Sequence, residues 1–169
     1  EELIACYLSR LKTFLADAMQ LANGWEKLWP EINPSPLLSG TMEECMVRGR
    51  DVSLAGTKYA SSGVMCAGIG TAVDALAAIH WLVFEQKRVT FSRLREILKE
   101  NWLYSENLRI EVFSRAPKWG CGNAFPDDIG KRISSAAAKE IEGTPNAKGG
   151  LFQMGLWSID WIKTFGKLT

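Results

Sequence analysis

Few side chains in this sequence stand where they could do chemistry together. The single histidine, His80, falls inside the apolar run around Ile79 and Val83. No acid or nucleophile lies at helical spacing from it, so it is expected to be a core histidine bonded to a carbonyl rather than a base. Cys6, Cys45, Cys66 and Cys121 are widely separated and form no CxxC pair. With one histidine in the chain they make a poor zinc set, and no metal site is expected. They read as buried, reduced thiols of a cytosolic protein. Glu43-Glu44 and Asp127-Asp128 are adjacent pairs, which do not face one another on a helix, so they suit helix starts better than acid–base work. Gly68-Ile69-Gly70 precedes a helix and could meet an anion at its N-terminus. A dinucleotide site would need a further glycine and a preceding strand. No phosphate loop, nucleophile elbow or HExxH is present.

The scaffold for any such site is limited by composition. A chain of 169 residues is one domain or part of one. Twenty basic residues face 19 acidic ones, interspersed, for a net charge of +1. That balance argues against nucleic acid or an anionic membrane as partner. With 47% hydrophobic residues the chain can build a core and is not disordered. No stretch reaches the ~18 apolar residues of a membrane span. The acidic start is not a secretory signal, and a cytoplasmic location is expected. Seven tryptophans without periodicity call for an apolar interior, and most are expected to be packing residues.

Periodicity supplies the elements. Leu3, Ile4, Tyr7, Leu8, Leu11, Phe14, Leu15 and Ala18 form one face of a helix from Glu2 to about Leu21, with Asn23-Gly24 as its stop. Trp25–Trp29 adds a turn or two before Pro30 and the extended Asn33-Pro34-Ser35-Pro36. Thr41-Met42-Glu43-Glu44 matches a capping box, predicting a short helix to about Arg48. Residues 49–63 read as loop. Ile69–Glu85 is the best amphipathic helix, with Val73, Leu76, Ile79, His80 and Phe84 on its stripe. Thr90 or Ser92 caps a helix to about Trp102. Ser105 starts another, which ends before Pro117. Phe125-Pro126-Asp127-Asp128 opens a helix to about Glu142. Residues 143–150 form a polar loop, and Leu151–Ile162 is expected to be a strand. The prediction is a mostly α chain with a few strands. A lone strand cannot satisfy its backbone groups, so the chain is expected to be part of a larger fold.

Longer blocks are more informative than any pair of residues. They run Asn33–Ser39 (NPSPLLS), Glu44–Asp51 (ECMVRGRD), Ala55–Tyr59 (AGTKY), Gly68–Ile79 (GIGTAVDALAAI) and Leu82–Glu85 (LVFE). Ala116–Gly120 (APKWG) and Phe165–Thr169 (FGKLT) follow. In order and spacing they resemble the glycyl radical enzymes, the pyruvate formate-lyase-like family. That family carries a PSPLLS entry, a C-I-E-x-G-R-D run, a G-G-A-x-Y-N turn, a D-S-L-A-A-I-x-x-L-V-F-E helix, an A-P-K-W-G-N-D-D block and a Y-G-K-x-T-G run.

The resemblance implies part of a ten-stranded α/β barrel with helices outside. In the family, a loop carrying a catalytic cysteine and a C-terminal loop carrying the glycyl radical meet at the barrel centre. A radical-SAM activase with an iron–sulfur cluster installs the radical, and a cysteine thiyl then abstracts hydrogen from a small organic substrate. A homo-oligomeric parent is also implied. The blocks present here lie between those two loops, over residues 1–169 as a single partial domain. The cysteine's G-C-x-E context and the radical's R-V-x-G-Y motif are both absent. Cys45 matches a different family position. No catalytic residue and no cofactor are therefore expected in this chain, which is expected to be inactive alone.

What carries over is pocket wall. Trp157 and Ile159 share one face of the expected strand and match cavity-lining positions. Met65, Cys66 and Ile69 belong to a substrate-facing stretch. Gly56 and Tyr59 match a structural turn near the radical domain. The sequence departs from the family at Ala55, at Ala60 and over Cys121–Asp128. Met65, Ile69 and Trp157 hint at an apolar or aromatic substrate, such as an arylacetate for decarboxylation or a hydrocarbon for addition to fumarate, rather than a polyol. The competing reading is a non-catalytic helical interaction or structural domain descended from the family, binding through an exposed aromatic patch.

Overall fold

The first helix overruns both of its expected stops. A computed structural model of the chain, describing residues 1–157, shows α1 unbroken over Glu2–Ile32. A mid-helix glycine costs only about 1 kcal/mol relative to alanine, and the burial of Leu15 and Met19 on the same helix outweighs it. Asn23 does not cap. Its Oδ1 accepts the Ala147 N–H at 2.7 Å. Trp25 and Trp29, one turn apart, pack with ring centroids 5.5 Å apart. Pro30 supplies no amide hydrogen to the last turn, yet α1 continues past it to Ile32.

Two compact units follow from the contact pattern. The first comprises Glu1–Cys66 and Ser135–Leu156. After α1 come α2 (Pro36–Ser39), α3 (Glu43–Arg48) and a 3-10 turn at Val52–Leu54. The capping box does not form, because the Thr41 hydroxyl donates back to the Leu38 carbonyl at 2.7 Å. α3 instead ends firmly. Gly49 takes φ +56°, and the Arg50 N–H bonds to the Cys45 carbonyl.

A strand absent from the expectations, β1 (Ser62–Ala67), pairs with β2 (Phe152–Trp157). The Ser62 N–H donates to the Leu151 carbonyl, and Met65 lies beside Gly155. Residue numbers rise together along the pair, so the strands are parallel. One sheet face meets Leu15 and Met19 of α1 and Ala137 and Ile141 of α7 (Ala124–Ile141). Phe152, fully buried, is the centre of that cluster, with Val64, Cys66 and Met154 alongside.

The second unit comprises Ala67–Ser134 with Trp157. It holds α4 (Ile69–Ile79), α5 (Phe91–Lys99), α6 (Glu106–Arg115) and the first part of α7. Thr90 caps α5, accepting the Arg93 N–H. α5 stops short of Trp102 because Asn101 and Trp102 both turn left-handed, at φ +48° and +61°. α4 passes into a π turn at His80–Glu85. The wider turn delays the buried phase, which runs Val73, Leu76, Ala77 and then Leu82. His80 is thereby turned to solvent and packs against Phe125, ring centroids 4.2 Å apart and planes tilted by 32°. It is not a core histidine. Trp119 lies against Gly130 of α7, and its N–H donates to the Asp74 carboxylate at 2.8 Å.

All four cysteines are free. Cys45 is buried and Cys66 partly so, but Cys6 and Cys121 are exposed, contrary to the expectation of four buried thiols. Trp25 and Trp157 are likewise more than half exposed. Among the described residues no helix is long and apolar enough to cross a membrane.

Candidate functional site

The sheet offers its second face to the outside. Alternation turns Ser62, Val64 and Cys66 toward the helical layer and leaves Gly63, Met65 and Ala67 exposed. In β2 the same alternation buries Phe152 and leaves Gln153 exposed, with Gly155 between. Met65 is 57% exposed. Its thioether lies across the sheet: a Cβ on Gly155 would stand 2.4 Å from Met65 Sδ, and one on Gly63 would stand 3.2 Å from Met65 Cε. The result is an open trough between two glycines with a methionine in it.

Of the residues expected to line a pocket, Met65 faces this open side. Trp157, at the end of β2, is 56% exposed and shares the parity of Gln153 and Gly155. Cys66 faces the other way, into the helical layer. Burial pushes its thiol up, which disfavours the reactive thiolate. Tyr7 is raised as well, first by burial and then by the Cys66 charge. Ile69 is half-buried at the start of α4, in the second unit. Ile159 and the block at residues 165–169 lie outside the described residues. Among the described residues no group of three or more His, Cys, Asp or Glu side chains could hold a metal ion.

A buried polar network holds β1 in place. Asn146, 8% exposed, donates from Nδ2 to the Ala60 carbonyl at 2.6 Å and to Ser62 Oγ at 2.8 Å. Its Oδ1 accepts the Lys148 and Gly150 amides at 3.1 and 2.7 Å. Ser62 Oγ donates to Glu26 Oε1, which also meets Lys148 Nζ at 3.3 Å. Gly150 permits this approach, since a Cβ there would stand 2.3 Å from the Ala60 oxygen. Nothing in the local sequence signals that Asn146 holds β1, because the partners it donates to are 84 and 86 residues away.

The turn with Gly56 and Tyr59 has its own anchor. Asp51 accepts Ser39 Oγ at 2.7 Å and the Ser35 N–H at 3.0 Å on one oxygen. The other accepts the Ser53 N–H at 2.8 Å and the Ser53 hydroxyl. This carboxylate ties the PSPLLS block to the RGRD block through Ser35 and Ser39. The Ser53 and Ser39 bonds hold it down to about 2, below the usual 3.8. The folded value is the depressed one. Its stabilisation is therefore full above the unfolded pKa and is lost as pH falls from about 4 to about 2. Thermal melts of the chain should show a drop across that window that is absent in Asp51→Asn, which keeps the shape without the charge. Gly56 is buried against the Arg50 carbonyl, while Tyr59 is 78% exposed with Lys58 Nζ 5.6 Å from its ring centre.

The family model described as "Pyruvate formate lyase-like" matches residues 1–166. The (2S)-3-sulfopropanediol dehydratase of Klebsiella oxytoca is 32% identical over 131 residues, covering 77% of this chain and 16% of that protein. The trans-4-hydroxy-L-proline dehydratase of Clostridioides difficile is 29% identical over 135 residues, covering 80% and 17%. The solved, glycerol-bound B12-independent glycerol dehydratase from Clostridium butyricum superposes with a TM-score of 0.84 at 26% identity, over 99% of this chain and 21% of that one. The chain thus spans about a sixth to a fifth of the length of these relatives. Its helices and two parallel strands correspond to part of the glycyl radical enzyme barrel. On the family match over nearly its whole length, the chain belongs to the pyruvate formate lyase-like family, the glycyl radical enzymes.

Proposed function

We propose that this chain works as part of a longer glycyl radical lyase, where the open face of the β1–β2 sheet forms one wall of the substrate pocket. The carrying observation is the asymmetry of that sheet: one face is closed by α1 and α7, and the other is left to Met65, Gln153 and two glycines. The substrate class we propose is a small hydroxylated molecule that loses water, because the relatives at 32% and 29% identity are both dehydratases. This departs from the apolar or aromatic substrate suggested by Met65, Ile69 and Trp157. A floor of glycine and methionine beside an exposed glutamine suits a small, partly polar molecule as well as an apolar one. A vicinal diol would give an aldehyde and water with no net oxidation.

The parent would carry the radical glycine and the thiyl-forming cysteine on other segments and would need a radical-SAM activase as partner. Cys66 is not the thiyl residue in this reading, since it faces the helical layer. This chain's own part is to bind, orient and exclude water from a reactive intermediate.

The test uses the parent polypeptide, activated anaerobically with its activase. Electron paramagnetic resonance should show a glycyl radical, and vicinal diols should yield aldehydes. A full radical signal with no product from any diol or hydroxylated amino acid overturns the substrate class. The chain of residues 1–169 treated identically should give neither radical nor product. Turnover by it would overturn the view that the reacting groups lie elsewhere.

A further inference from the structure

The trough on the open sheet face has a property that the family match does not supply. Met65 is the side chain that crosses it, beside Gln153 and Trp157 on the same face, and it lies flat because two neighbouring positions lack a Cβ. Gly63 precedes it by two on the same strand, and Gly155 is opposite on β2. A methionine has three rotatable bonds and a polarisable sulfur, so it fills irregular space and re-packs cheaply. Held down between the glycines, it leaves room above the sheet. Pushed up by a methyl group at residue 155, it would occupy that room.

We infer that the Met65–Gly155 pair sets the depth of the substrate pocket and so selects substrate length. The inference rests on the pocket-wall reading above and adds to it the residues that decide size. Met65 is the side chain that would meet the substrate, and Gly155 acts through it as a positioning residue. Two variants should act in opposite directions. Met65→Ala deepens the trough. In the activated parent enzyme it should raise kcat/KM for longer vicinal diols relative to the shortest, by about tenfold for each carbon accommodated. Gly155→Ala lifts the methionine and should lower the same ratio by about tenfold.

The decisive measurement is the double variant. With the thioether gone, the added methyl group at 155 has no Sδ to displace, so Gly155→Ala should change the ratio by less than about threefold in the Met65→Ala background. An equal effect in both backgrounds, or no effect of Gly155→Ala in either, overturns the inference. Met65→Ala removes only an exposed side chain, so it keeps a testable folded protein even if Gly155→Ala does not fold. If it folds and leaves the length preference unmoved, the inference also fails.

A second readout separates this failure from failure of the lyase reading. Diols of increasing length are titrated against parent enzyme carrying a carbon-13 methyl label on its methionines, with Met65→Ala identifying the signal. Movement of the Met65 signal that depends on diol length supports the pair as a gauge even where no aldehyde forms. Aldehyde formation with a motionless Met65 signal leaves the lyase reading intact and overturns the gauge.

Discussion

Replacing Gly56 with alanine should lower the stability of the chain by about 3 kcal/mol or more, at the upper end of what overpacking costs. A Cβ at this position would stand 2.1 Å from the Arg50 carbonyl oxygen, 2.8 Å from its carbon and 2.9 Å from the Asp51 oxygen. All three are backbone atoms, so no rotamer change can relieve the contact. The Gly56 N–H also bonds to the Asp51 carbonyl at 3.0 Å, which fixes the turn from the other side. Moving the 50–51 backbone would pull Asp51 away from Ser35, Ser39 and Ser53, so the steric cost carries a hydrogen-bonding cost with it. Two other glycines calibrate the result. Gly49→Ala meets nothing within 4 Å but keeps φ +56°, so it should cost about 1 kcal/mol of backbone strain. Gly24→Ala, inside α1 and in open space, should stabilise by about 0.5–1 kcal/mol. Denaturant midpoints of the three variants should fall in that order. A Gly56→Ala midpoint equal to that of Gly49→Ala would mean that the 50–56 turn can open freely, and the anchor role of Asp51 would go with it.

The same turn shows what was legible beforehand. The PSPLLS and RGRD blocks could be read as text, but what joins them is one carboxylate accepting four hydrogen bonds from Ser35, Ser39 and Ser53, and the bonds to Ser35 and Ser39 are announced by no local pattern. Helix starts fared well where the signal is local. Thr90 caps α5 through its own hydroxyl, and Asn123 accepts the Phe125 N–H where α7 begins. Stops fared worse, because a stop competes with packing. Gly24 is a weak breaker, Pro30 stands only two residues from the end, and α1 runs through both. β1 escaped notice because Ser62–Ala67 is small and uniformly weak in pattern. Its partner strand begins only at Phe152 and is brought to it by α7 and the Asn146 loop. The π turn moved His80 from the expected stripe to solvent, a one-residue shift that periodicity does not anticipate. For the candidate site, Met65 could be found from the resemblance. Gly155 could not, since a glycine matters only through the atom it omits. Adjacent residues of a strand point to opposite faces, so Met65 and Cys66 do not share one, and Cys66 packs against the helical layer.

Asn146→Ala should be nearly as damaging as Gly56→Ala, by a different route. It removes four side-chain hydrogen bonds and leaves the Ala60 carbonyl, Ser62 Oγ and the Lys148 and Gly150 amides without that partner. A buried polar group left unpaired costs about 1–3 kcal/mol. The two loop amides can recover water, since Lys148 and Gly150 are only half-buried. The total should therefore be about 3 kcal/mol rather than the sum of four. Asn146→Asp separates donors from acceptors. The introduced carboxylate still accepts the two loop amides but cannot donate to Ala60 or Ser62. It also adds negative charge to a cluster where Glu26 Oε2 is buried without a partner among the described residues. Its folded pKa should therefore rise. The penalty is then present above the folded pKa and relieved as pH falls toward the unfolded value, because protonation restores one O–H donor. Stability of Asn146→Asp relative to wild type should improve below about pH 5, whereas Asn146→Ala should stay equally destabilised. Hydrogen exchange locates the effect: the Ser62 amide, bonded to the Leu151 carbonyl, should lose protection first in both variants. If that amide stays protected while the 143–150 loop opens, the network holds only the loop, and β1 keeps its register through packing of Val64 and Phe152 instead.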